Sequence, residues 1–185
     1  KIVHELAHAV ECQRQGCAVR QTGLVFILLA PLVYVDVTSC WRLSSRWARI
    51  RVASAGMYVE LVIAAVALLL WSVIDDAHIR FLVNYLVFAA GLSTILFNAN
   101  VLMRFDGYFI LADLIDVPNL YSEATAAVRR VAKRMVFCEQ SSPSNLIGWR
   151  RHFVLGYGLA ALIWRIAVCI SLAIMAATMF AGAGI

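Results

Sequence analysis

Three long, predominantly apolar runs dominate the chain: Val52 to Ile74, Phe81 to Met103, and Phe153 to about Met179. A helix of about 20 residues rises about 30 Å, the thickness of a hydrocarbon core, so runs of this length can cross a bilayer. Composition agrees. Only 15% of the 185 residues are charged and 63% are hydrophobic, whereas a soluble domain carries about 25% charged residues. The pattern excludes a soluble globular domain and implies an all-α polytopic membrane protein with the lipid bilayer as its partner.

The segments between the runs differ in kind. Lys1 to about Gln15 is rich in helix formers, and Gly16 supplies a stop. Residues 23–35, GLVFILLAPLVYV, are too short for an ordinary span and carry Pro31, so a re-entrant segment or membrane-dipping β-hairpin fits better. The stretch DVTSCWRLSSRWARIR follows, with its arginines and tryptophans suited to the membrane interface. Residues 122–151 form a basic connector before the last run. The chain opens on Lys1 rather than Met and closes just after an apolar run, which reads as an internal piece of a longer protein.

The net charge of +5 is explained by basic residues in the connectors, so nucleic acid is not an expected partner. The connectors before the Val52 run and after the Phe81 run are basic, whereas the intervening turn holds Asp75 and Asp76. By the positive-inside rule both basic connectors face the cytoplasm. The five cysteines, Cys12, Cys17, Cys40, Cys138 and Cys169, contain no C-x-x-C pair. They do not suggest a disulfide framework or a structural zinc cluster. Cys12 and Cys17 could reach a metal, but single small buried residues are the better reading for both.

His4-Glu5-Leu6-Ala7-His8 is an H-E-x-x-H motif. On a helix, positions four apart share a face, so both imidazoles reach one ion. Glu5 beside them can take a proton from water that the metal has acidified. Ionisable groups near a membrane are costly, so this cluster needs a reason to exist. A catalytic zinc takes three protein ligands. His78 and His152 lie in poorly placed connectors, and Asp106, just past the second run and followed by Gly107, is the better third candidate. The alternative for Asp106 is a helix cap or a pair with Arg104. Glu60 is a charge inside an apolar run, either near the site or paired, with Arg165 as one conceivable partner.

Three segments in order resemble the site-2 protease-like membrane metallopeptidases: HELAH at 4–8, the Gly56 to Glu60 segment, and the run from Asn98 through Arg104, Phe105, Asp106 and Gly107 to Tyr108. Tyr34 to Thr38 and Phe105 to Leu120 resemble, more narrowly, a bacterial branch described as peptide zinc metalloproteases. The resemblance covers Lys1 to about Leu120 and extends loosely to the last run. It implies a helical core, Zn2+ held by His4, His8 and Asp106, Glu5 as general base, and Asn98 as a catalytic contact to substrate or the developing oxyanion. For Asn98 the alternative is an interhelical hydrogen bond. It also implies a multi-pass protein of the bacterial inner membrane with its active site towards the cytoplasmic side. Two departures stand out: Val101 replaces a proline common in relatives, and Gly56-Met-x-x-Glu60 replaces Gly-Pro-x-x-Asn.

The expected function is therefore a zinc-dependent intramembrane endopeptidase, hydrolysing a membrane protein or peptide by metal-activated water. The alternative is a non-proteolytic zinc-binding scaffold or peptide-export component, with export or secretion machinery as partners. A transporter using Glu60, Arg165 and the asparagines is a third class.

Overall fold

A computed structural model of the chain describes residues 1–27, 30–92, 94–137 and 148–182. It divides into two compact units, Lys1–Asp116 and Val117–Ile185.

The first unit begins with α1, Ile2–Arg14. Gly16, at φ +78, ends it by taking a left-handed backbone that other residues adopt only under strain. The chain then forms two antiparallel strands, β1 (Thr22–Ile27) and β2 (Ala30–Val35), with Gly23 opposite Tyr34 and Thr22 opposite Val35. Residues 23–35 thus contain a β-ladder, and residues 28 and 29 of that segment lie outside the described residues. A 3₁₀ turn at Thr38–Arg42 leads into α2, Arg46–Val73. This helix starts six residues before the apolar run, because Arg46, Trp47 and Arg49 are compatible with a helix although not with hydrocarbon.

Asp76 caps α3 (Ala77–Val87) by accepting from the backbone N–H groups of His78 and Ile79 at 2.9 Å each. Two π-helical turns follow, Phe88–Leu92 and Thr94–Asn98. The helical path ends at Asn98, five residues short of the apolar run's end. Turns then deliver the chain to α4, Asp106–Leu114. Arg49 Nε donates to Asp113 Oδ1 at 2.7 Å and ties α4 to α2. In the second unit, the basic stretch expected as a connector is helical at its start, α5 (Leu120–Phe137), and α6 spans Trp149–Gly182.

Among the described residues, three helical segments are long and apolar enough to cross a membrane: Arg46–Val73, Ala77–Asn98 and Trp149–Met179. Their large side chains are turned outward. Leu69, Val73, Phe81 and Tyr85 are each at least 70% exposed. A surface of that kind is unfavourable in water and well solvated by lipid tails. The buried stripe of α2 is instead made of small or polar residues at four-residue spacing: Ala48, Val52, Gly56 and Glu60.

Candidate metal centre

Helix α1 buries His4, His8 and Cys12, which lie four residues apart on one face. That stripe packs on the Val52, Gly56 and Glu60 stripe of α2. His8 Nδ1 lies 2.7 Å from the Val52 carbonyl oxygen, and His4 Nδ1 lies 3.2 Å from Glu60 Oε2. The two helices therefore run antiparallel here. Gly56 is what permits the approach. A Cβ at that position would stand 2.5 Å from His4 Cε1 and 2.5 Å from His8 Nε2, well inside contact distance.

The polar contacts also fix the imidazole tautomers. A backbone carbonyl only accepts, so His8 Nδ1 carries the proton and His8 Nε2 presents a lone pair. The carboxylate beside His4 Nδ1 favours the same tautomer on that ring, the usual arrangement for a metal-binding histidine. Both Nε2 atoms then point at one place, 3.1 Å apart.

Asp106 reaches the same place from α4. Its Oδ2 lies 3.0 Å from His4 Nε2 and 3.5 Å from His8 Nε2, yet this buried atom has no hydrogen-bond partner among the described residues. Three lone-pair donors gathered this tightly repel one another unless a proton or a metal ion sits among them. The geometry is that of a group able to hold a metal ion, with all ligand atoms within 4.8 Å of one another.

Gly107 has its own reason to be glycine. A Cβ there would meet the Ala99 carbonyl oxygen at 2.6 Å. The close approach is to the turn after Asn98 and seats the first turn of α4, bringing Asp106 to the histidines. Asn100 holds that turn by accepting from the Leu102 N–H at 2.9 Å.

Behind His4 lies a buried polar network that the sequence only hinted at. Glu60 Oε2 accepts from Asn98 Nδ2 at 2.9 Å and from Thr94 Oγ1, and Glu60 Oε1 accepts from Lys1 Nζ at 2.9 Å. The partners of Glu60 are therefore Lys1, His4, Thr94 and Asn98, while Arg165 donates to Tyr121 within the second unit. The Asn98 amide makes the interhelical bond. Thr94 and Asn98 both come from the second π-helical turn, a feature that recurs at functional sites because it re-aims side chains. A glutamate four residues after a glycine inside an apolar run was the available signal for this network. His78 and His152 are both exposed.

In front of the donor group is a cavity of about 440 Å³. Glu5, His8 and Asp106 line it together with Tyr34, Val35 and Asp36. It is more apolar than polar, and its size lies in the range of ligand pockets.

No protein-family model matches the chain, and no curated protein or solved structure matches it.

Proposed function

We propose that the chain is the catalytic core of a zinc-dependent intramembrane endopeptidase of the site-2 protease-like kind. The observation that carries this reading is the convergence of His4, His8 and Asp106 on one point, with Asp106 Oδ2 buried and lacking a hydrogen-bond donor among the described residues. Zn2+ is the ion these donors suit best. With bonds of about 2.0–2.1 Å, the edges of a tetrahedral site are about 3.3 Å. The three donor separations here are 3.0, 3.1 and 3.5 Å.

Bound zinc supplies a Lewis acid and acidifies water at neutral pH. Every other part belongs to the chain. Glu5, on the cavity wall beside His8 and Asp106, accepts the proton of the attacking water and returns it to the leaving amine. Glu60 holds the His4 ring in its productive tautomer, and Asn98 acts through Glu60 as a positioning residue.

A scissile peptide must be extended, because a helix hides its carbonyls. Strand β2 pairs only with β1 among the described residues. The Asp36 N–H donates to the Gln21 carbonyl at 2.8 Å, so antiparallel alternation turns Val33 and Val35 toward the other edge. Val35 lines the cavity. An unwound membrane-protein segment laid along that edge would present its carbonyl to the metal. The site flanks α2 residues 52–60, which follow the basic residues Arg46, Arg49 and Arg51 within about four turns. Positive-inside orientation would then set it within the bilayer near the cytoplasmic face of the bacterial inner membrane.

The test is Glu5→Gln in full-length protein reconstituted in vesicles with a membrane-spanning peptide. The reading predicts chelator-sensitive cleavage by the wild type and its loss in the variant, with metal content unchanged. Metal retained in both with no cleavage by either, and unimpaired cellular function of the variant, would favour a zinc-binding scaffold or peptide-export component.

A further inference from the structure

A second donor cluster lies one helical turn beyond His8 on the same face of α1. Cys12 is fully buried and Cys40 nearly so, while Cys17 is half-buried. They come from three different segments: α1, the loop after it and the 3₁₀ turn at Thr38–Arg42. Their sulfurs nevertheless all lie within 4.8 Å of one another. The Cys40 and Cys12 sulfurs are 2.7 Å apart, closer than van der Waals contact. Val52 completes the buried cluster, with Val19, Val37 and Leu43 packed around it.

We propose that Cys12, Cys17 and Cys40 form a second metal site, a three-thiolate cradle for a thiophilic divalent ion such as zinc. Soft thiolates select such ions, and three cysteines with one further ligand are an established structural zinc set. A disulfide between Cys12 and Cys40 would leave the third thiol without a purpose in the cluster. Ser39 Oγ lies 3.6 Å from Cys12 Sγ and donates its proton to the Ala18 carbonyl at 2.7 Å. Its lone pairs are thus free to face the fourth position, which water can fill equally well.

Burial and the neighbouring Cys12 and Cys17 thiols push the Cys40 thiol up. Binding an ion through thiolates releases the thiol protons to solvent. The ion would lock the end of α1 to the turn that follows β2. That clamp fixes the H-E-x-x-H helix relative to Tyr34, Val35 and Asp36, which line the same cavity. This proposal stands independently of any peptidase activity.

Cadmium titration of reduced, metal-free, full-length protein tests the site in a Cys138→Ser, Cys169→Ser background. Thiolate-to-metal charge-transfer absorption reads sulfur ligation only, so the His4, His8 and Asp106 group is silent. The proposal predicts absorption that saturates at one ion per chain and persists in Asp106→Ala. Cys17→Ser, at the most exposed of the three, should lose about a third of the amplitude or more, as one thiolate of three is gone. Absence of the absorption from protein whose three thiols are all free to alkylation after denaturation would overturn it. So would a Cys12–Cys40 disulfide found in the isolated protein by mass spectrometry. The wild-type titration decides the matter even if the serine variant fails to fold.

Discussion

Glu60 Oε2 stands 3.2 Å from His4 Nδ1, so a carboxylate from the middle of an apolar helix backs one of the two motif histidines. Burying that carboxylate is expensive, and the Lys1, Thr94 and Asn98 donors offset the cost. From there it holds the His4 ring so that Nε2 faces His8 and Asp106. Glu60→Gln should weaken metal binding by about 10–100-fold, the usual effect of losing the group behind a metal-binding histidine. Competition against a graded series of chelators measures this. Unchanged affinity in a folded variant would remove Glu60 from the site.

Gly56 separates packing from chemistry. Gly56→Ala places a methyl 2.5 Å from both imidazoles, which must force α1 away from α2. Overpacking of this kind costs about 1–3 kcal/mol, and metal binding should fall with it. Gly91→Ala is the control, because its Cβ would meet Ala64 Cβ at an ordinary 3.5 Å. Thermal melting and metal content of the two variants in detergent should diverge. Equal behaviour would contradict the close packing described here.

The edge of β2 gives a prediction specific to peptide handling. Val35→Pro removes an outward N–H without breaking a ladder bond to β1. Metal content should hold while cleavage of a membrane-spanning peptide falls by about tenfold or more, equivalent to one lost backbone hydrogen bond in a desolvated site. Cleavage at the wild-type rate would show that substrate does not bind along this strand.

Several of these features were legible in the sequence for simple physical reasons. Spans show as apolar runs because hydrocarbon tolerates little else, and His4 and His8 share a face because helical periodicity is fixed. Helix ends were less legible. Hydropathy reports polarity rather than helicity, so α2 extends back to Arg46, and the path after α3 leaves the helix at Asn98 although Val101, Leu102 and Met103 are apolar. Long-range partners were hidden. Nothing in the spacing of Glu60 distinguished Lys1 and Thr94 from Arg165. The cysteines at 12, 17 and 40 lack a metal-binding spacing, and only the reversal at Gly16 and the 3₁₀ turn bring them together. Gly56 looks like one more small residue in a span until α1 is packed on it.

The most direct test is metal content per chain of purified full-length protein beside its Asp106→Ala variant. Asp106 supplies the third donor at 3.0 Å and 3.5 Å from the two histidines. The account predicts that the variant, still folded, carries one zinc ion fewer per chain than the wild type. Equal zinc in both, or a well-folded wild type that binds none, would contradict a metal centre built from His4, His8 and Asp106.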